Sequence, residues 1–283
     1  MKKIYLVGCP RSGTTLLQSL LASHPEIVSF PETHIFSRTM HINALVRFFT
    51  IYGYKKLEIV REILDGLSVP CQDHELPGTP IFFTKHWINQ LFPLLDKIGN
   101  TYDQNGTATY LLEKTPRHLH FLHLIQQADP SAHFIHIIRK GENVVASLTE
   151  ATSNSPDHWE GARSIKKSIF WWNRSIKISK HFIGTKNHHF VLYSDLVRNT
   201  EANLARLFKH LEISEFHTEA VNSFHETAEE LITEDEVWKQ NNTNDSIEKS
   251  RKFKALAQSD QDYISKNLID FDFNSLLTDQ ENT

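Results

Sequence analysis

The chain opens on a short apolar run, Ile4-Tyr5-Leu6-Val7, that stops at Gly8. A run of that length closed by glycine reads as a buried strand. Leu16, Leu17, Leu20 and Leu21 then recur at helical spacing and predict a helix over 14–23. The first unit is therefore strand, glycine-bounded loop, helix. Later stretches repeat the alternation. Residues 117–127 predict a helix with Leu119, Leu122 and Ile125 inward. Residues 133–138, His-Phe-Ile-His-Ile-Ile, read as a strand rich in β-branched side chains. A helix starts at Gly141-Glu142-Asn143 and runs through Leu148. Ile165, Ile169, Trp172 and Ile176 mark a long helix over 159–182. Residues 189–193 give another strand, and Leu204, Leu207, Phe208 and Leu211 stripe a helix over 201–211. Such β-α order predicts an α/β fold, a parallel sheet covered by helices.

Residues 36–110 interrupt this order. Helical stretches broken by Pro and Gly carry Phe48, Phe49, Tyr52, Tyr54, Phe82, Phe83, Trp87 and Phe92. The segment reads as a mostly helical cap inserted into the α/β core. No internal repeat or long linker divides the chain, and 283 residues fit one large domain over 1–283.

Charge narrows the choice of partners. With 30 Lys+Arg against 34 Asp+Glu the net charge is −4, which excludes a global basic field for nucleic acid but leaves room for a local basic pocket. The two cysteines, Cys9 and Cys71, cannot build a disulfide framework, so a reducing compartment is expected. The apolar run after Met1-Lys2-Lys3 is too short for a signal segment or a membrane span, and a cytoplasmic protein is expected. The 17 His are many for this length, yet no HExxH or paired CxxC pattern is present, so no metal is expected.

The chemistry sits in the first loop, Gly8-Cys9-Pro10-Arg11-Ser12-Gly13-Thr14-Thr15. Its G-x-x-x-x-G spacing between strand and helix is that of a phosphate-binding loop, where backbone amides at a helix start face an anion. A nucleoside-triphosphate loop has Lys after the second Gly; Thr14 stands there instead, and the nearby cation is Arg11. A tyrosine-phosphatase loop needs Arg six residues after its Cys, where Thr15 stands. A phosphorylated ligand is expected, without ordinary ATP chemistry. A second anion motif ends the 133–138 strand: Arg139, whose forked donors suit phosphate, precedes Ser147 by eight residues.

Together these motifs resemble the sulfotransferases that use 3′-phosphoadenosine 5′-phosphosulfate (PAPS). Pro10-Arg11-Ser12-Gly13-Thr14-Thr15-Leu16-Leu17 is similar to their 5′-phosphosulfate loop, and Arg139 with Ser147 to their 3′-phosphate pair. Ser23-His24-Pro25-Glu26 recurs in the branch holding tyrosylprotein and many bacterial sulfotransferases. That branch usually has Asp-Pro after the Arg, where this chain has Lys140-Gly141. The resemblance implies a P-loop-like three-layer fold, PAPS as sulfonate donor, and an acceptor that is a small molecule, glycan or peptide.

Residue roles follow from the same resemblance. Glu32, in Pro31-Glu32-Thr33, matches the catalytic base, with His34, His118 and His120 as alternatives because other sulfotransferases use His. Lys114 matches the lysine that stabilises the bridging oxygen, with Arg11 across the leaving group. Tyr193, in Tyr193-Ser194-Asp195-Leu196, is placed near the 3′-phosphate, and Ser250 with Lys252 in a basic loop, Ser246 through Lys254, that closes over the nucleotide. Two other readings stand beside this one: a P-loop kinase or NTPase, and a non-catalytic nucleotide-binding module.

Overall fold

The computed structural model describes residues 1–43, 53–78, 84–159, 161–213, 227, 231 and 252–272. Five strands form one sheet: β1 (Lys2–Gly8), β2 (Ile27–Ser29), β3 (Tyr110–Lys114), β4 (His133–Ile138) and β5 (His188–Leu192), in the order β2-β3-β1-β4-β5. Every pairing is parallel. Parallel strands need crossovers, and helices supply them: α1 (Thr14–Ala22), α2 (Ile35–Thr39), α3 (Gly53–Gly66), α4 (Thr84–Tyr102), α5 (Leu122–Ala128), α6 (Gly141–Asn154) and α7 (Ile165–Lys180), while α8 (Tyr193–Arg198), α9 (Thr200–Leu211) and α10 (Gln258–Asn267) follow β5.

Both sheet faces are covered, which is why the strands read as apolar runs. Leu17, Leu20 and Leu21 of α1 and Leu204, Leu207, Phe208 and Leu211 of α9 pack on one face against Ile4, Leu6, Ile135 and Val191. On the other face Trp87, Ile88, Leu91, Leu95 and Ile98 of α4 join Tyr5, Val7, Leu111 and Phe134. Helix α4, expected within a cap, thus lies in the core layer beside the sheet. The expected segment 36–110 also ends on β3, a strand that the apolar pattern did not single out, and β2 is too short to stand out at three residues. Phe48, Phe49, Tyr52, Phe82 and Phe83 lie outside the described residues.

Boundaries shift where local chemistry dictates. The long helix expected over 159–182 starts only at Ile165, because Pro156–Trp159 is a 3₁₀ turn, Gly161 takes φ 97°, and the Ser164 hydroxyl caps the new start by accepting from the Lys167 amide. The expected helix over 117–127 divides into a 3₁₀ segment, Pro116–Phe121, and α5.

Four histidines lie on β4 and β5, and a fifth, His210 of α9, packs against them. His188 stacks on Phe134 and Phe182, and His136 on Phe190. His136 Nε2 lies 2.9 Å from His188 Nδ1, and its Nδ1 lies 3.1 Å from Ser179 Oγ. On the opposite face His189 stacks on His133 and His210. Burial lowers the pKa of these rings: His188 is pulled down to about 4, His189 to about 3, and His136 well below its ordinary value.

The chain leaves β1 toward the β2 edge and leaves β4 toward the β5 edge. A crevice outside the carboxyl ends of two such neighbours is where open α/β sheets bind ligands.

Candidate functional site

The loop after β1 is shaped by two left-handed residues, Arg11 (φ 72°) and Gly13 (φ 98°). The Ser12 amide donates to the Cys9 carbonyl over 3.1 Å, closing the turn, and α1 begins at Thr14. Glycine is required at position 13 twice over. Its φ strains any L side chain, and a Cβ there would lie 2.4 Å from the Tyr193 ring. A Cβ on Gly8 would lie 2.6 Å from the Ile137 carbonyl, so β1 and β4 end in close contact. Burial pushes the Cys9 thiol up to about 12, which leaves it protonated and unsuited to nucleophilic attack.

Arg11 and Arg139 come together over this loop. Arg139 Nη1 donates to the Arg11 carbonyl over 3.2 Å, its guanidinium lies 4.2 Å from the Tyr193 ring centroid, and Trp172 Nε1 donates to the Arg139 carbonyl over 3.1 Å. Arg11 Nε donates to Ser147 Oγ over 3.3 Å. Ser147, expected beside Arg139, therefore meets Arg11 directly and Arg139 through it. Among the described residues neither guanidinium forms a salt bridge with a carboxylate, and Arg139 Nε is buried without a hydrogen-bond partner. Burial lowers the pKa of both, and for Arg11 the neighbouring Arg139 charge lowers it further. Two adjacent half-buried cations repel each other, and an anion between them relieves that repulsion.

Lys114 ends β3 and is 1% exposed; its Nζ donates to Glu32 Oε1 over 2.6 Å. Glu32 Oε2 lies 3.3 Å from His34 Nε2. The Glu32 charge also reaches Arg11, where it opposes the effect of burial. Glu32 and Lys114, expected as base and cation, and the loop arginine Arg11 thus lie together, although Lys114 ends β3 and Glu32 sits in the loop after β2, on opposite sides of α4 in the chain.

The alternative bases have other roles. His118 is buried, its Nδ1 bonding to Glu113 Oε2 at 2.8 Å while its Nε2 accepts from the Phe36 amide at 3.3 Å. Both ring nitrogens are committed to structure. His120 meets Trp171 edge-on, and burial pulls it down to about 4. His34 alone touches Glu32. Of the remaining expectations, Thr14 is buried at the start of α1 with Thr15 beside it. Lys252 pairs with Glu150 on α6, and Ser250 lies outside the described residues. Two contributors carry no motif. Trp172 reads as a core aromatic, and Glu113 is signalled only by its place as a carboxylate in the apolar strand Tyr-Leu-Leu-Glu-Lys.

Among the described residues no helix is long and apolar enough to cross a membrane, and no group of three or more His, Cys, Asp or Glu could hold a metal ion.

A doubly covered parallel sheet with a glycine loop between its first strand and first helix is the architecture of anion-binding α/β proteins, and comparison narrows the class. The profile of the sulfotransferase family matches residues 3–218. The chain belongs to that family. It is 25% identical over 218 residues to protein-tyrosine sulfotransferase A of Caenorhabditis elegans, a match that covers 74% of this chain and 50% of that protein. The chain thus spans about half the length of that curated relative. The fold is shared with the sulfotransferase domain from the curacin biosynthetic pathway (TM-score 0.54, 18% identity, covering 94% of this chain and 96% of that one). It is shared too with the sulfotransferase domain of the Synechococcus PCC 7002 olefin synthase (TM-score 0.53, 19% identity, 96% and 95%).

Proposed function

We propose that this chain transfers a sulfonate group from PAPS to a hydroxyl or amine of an acceptor, as a single sulfotransferase domain over 1–283. The observation that carries the reading is the pair of half-buried guanidiniums, Arg11 and Arg139, with the buried Arg139 Nε lacking a hydrogen-bond partner, over a glycine loop. That donor set fits a ligand with phosphate at two ends. The loop amides of Ser12, Gly13, Thr14 and Thr15 with Arg11 hold the 5′-phosphosulfate end. Arg139, with Ser147 and Tyr193 beside it, holds the 3′-phosphate, and Ser250 and Lys252 belong to the segment that closes over the nucleotide.

PAPS supplies the sulfonate and leaves as adenosine 3′,5′-bisphosphate. Glu32 takes the proton of the acceptor group as its oxygen or nitrogen bonds to sulfur. Lys114 turns from Glu32 to the departing bridging oxygen, and Arg11 neutralises the phosphate beside it. The 2.6 Å Lys114–Glu32 contact keeps both groups ready while no ligand separates them. No metal takes part in this scheme. Helices α2 and α3, which follow Glu32, shape the acceptor side. The free thiols of Cys9 and Cys71 fit a reducing, cytoplasmic compartment.

The test is an acceptor screen with sulfur-labelled PAPS beside calorimetry with adenosine 3′,5′-bisphosphate. Label transfer with bisphosphate binding is expected. Tight binding without transfer to any acceptor identifies a non-catalytic module, and Mg²⁺-dependent ATP turnover identifies a kinase or NTPase.

A further inference from the structure

Strand β3 is apolar except for its last two residues, and they face opposite ways. Lys114 is in register with Leu6, on the α1 side. Glu113 is in register with Tyr5, on the side of α2 and α4, and is fully buried. A carboxylate is not retained in such a place unless its oxygens are bonded. Here Oε1 accepts from Thr33 Oγ1 at 2.8 Å and Thr115 Oγ1 at 2.7 Å, and Oε2 bonds His118 Nδ1 at 2.8 Å. Burial opposes the charge, but the His118 ring and the two hydroxyls prevail and keep the carboxyl below its ordinary range.

Each donor is itself tied to the backbone beyond Glu32. Thr115 Oγ1 accepts from the His34 amide at 3.3 Å, Thr33 Oγ1 from the Ile35 amide at 3.1 Å, and His118 Nε2 from the Phe36 amide at 3.3 Å. One carboxylate thus gathers three successive amides through three side chains. Thr33 directly follows Glu32, and Thr115 directly follows Lys114. The loop also holds His34 at φ 53°, a strained backbone that the surrounding bonds must maintain.

We propose that Glu113 is a positioning residue: through Thr33, Thr115 and His118 it clamps the loop carrying Glu32 to the strand end carrying Lys114, and so sets the two charged groups against each other. Glutamine cannot replace it. Three donors converge on two oxygens, and an amide NH₂ must face one of them. Were the His118 ring to change tautomer in response, its Nε2–H would confront the Phe36 amide. The role ascribed to Glu113 rests on the proposed reading of Glu32 and Lys114 as base and cation, and one arm of its test does not depend on that reading.

That arm is a crystal structure of Glu113→Gln. The sheet and loop 10–15 are expected to persist while Glu32 and Lys114 separate beyond hydrogen-bond reach. A Lys114–Glu32 contact still at 2.6 Å in the variant overturns the inference, whatever the protein catalyses. The second arm is kinetic. In the otherwise native enzyme Glu113→Gln is expected to cut kcat about ten-fold or more, with KM for PAPS changed by no more than about three-fold. In a Glu32→Gln background the same change is expected to cut residual turnover clearly less than in the native enzyme, because one of the two groups it positions is already gone. An equal cut in both backgrounds marks a merely structural residue and overturns the inference. Should Glu113→Gln fail to fold, Thr33→Val, which removes one of the bridging hydroxyls, is subjected to both arms, with the same separation and the same non-additivity expected. A wild-type protein that moves no sulfonate strikes the functional reading, and the crystal structure still decides the role of Glu113.

Discussion

A Cβ placed on Gly13 would lie 2.4 Å from Cδ2 and 2.6 Å from Cε2 of Tyr193, so the loop glycine and the ring are fitted to each other. Tyr193 in turn lies under the Arg139 guanidinium. One contact therefore links the loop after β1 to the arginine after β4.

Gly13→Ala is expected to displace either the loop or the ring. Left-handed backbone costs an L residue roughly 1–2 kcal/mol, and overpacking adds about 1–3 kcal/mol. Bisphosphate affinity is expected to fall at least about ten-fold, since 1.4 kcal/mol is a factor of ten. Tyr193→Ala in the same chain is expected to restore part of the loss by opening the space. Calorimetry of the two single variants and the double variant checks this; strictly additive losses would show that the ring does not constrain the loop.

Arg139→Ala is expected to weaken adenosine 3′,5′-bisphosphate binding by about ten- to a hundred-fold, because hydrogen bonds to charged groups contribute about 1.5–3 kcal/mol. The unliganded protein is expected to lose little stability, since the change removes one of two adjacent half-buried cations. A thermal shift measured with and without bisphosphate separates the effects. In the wild type ligand at 100 times Kd adds about 2.7 kcal/mol of stability. In Arg139→Ala at the same concentration about half of that shift or more is expected to vanish, and an unchanged shift would refute the 3′-phosphate assignment.

Glu32→Gln is expected to preserve bisphosphate binding and reduce turnover by about 10²–10⁴, the usual contribution of a positioned base. Lys114→Ala is expected to reduce turnover too, and to destabilise the protein more than Glu32→Gln does, since Lys114 is the more buried partner and its loss strips the 11%-exposed carboxylate of its 2.6 Å contact. Rapid-quench assays beside urea unfolding distinguish the two variants. Full turnover in Glu32→Gln removes Glu32 as base.

Much of this site is legible in the sequence. Arg11, Gly13, Arg139 and Ser147 lie in local motifs whose spacing reflects a strand end and a helix start. Glu32 and Lys114 could be named through family resemblance, but their 2.6 Å contact could not, because it depends on the β2-β3-β1 order that juxtaposes distant segments. The β3 strand was missed because it follows the helical segment 36–110 and ends on two charges, which break an apolar run. Glu113 stayed hidden for a related reason. Its partners Thr33 and His118 are ordinary polar residues until the fold buries them together.

The histidines, unassigned by any motif, predict a pH dependence of stability. His136 and His188 are buried against Phe134, Phe182 and Phe190, with folded pKa values depressed by burial, that of His188 to about 4. An unfolded chain returns them to about 6.5. For a base whose folded pKa is depressed, the unfolded state binds protons first as the pH falls. Their contribution is thus fully present above pH 6.5 and is lost as the pH falls below it, for His188 between about 6.5 and 4 at up to about 1.4 kcal/mol per pH unit. For His188 the loss by pH 4 is on the order of 3 kcal/mol. Urea midpoints measured from pH 7.5 to 5 are expected to fall with acid. The double substitution His136→Phe and His188→Phe keeps the aromatic stack and removes both titrating groups, so its midpoints are expected to fall less steeply. A slope identical to the wild type would move the acid sensitivity elsewhere, to the His189 face or to the carboxylates.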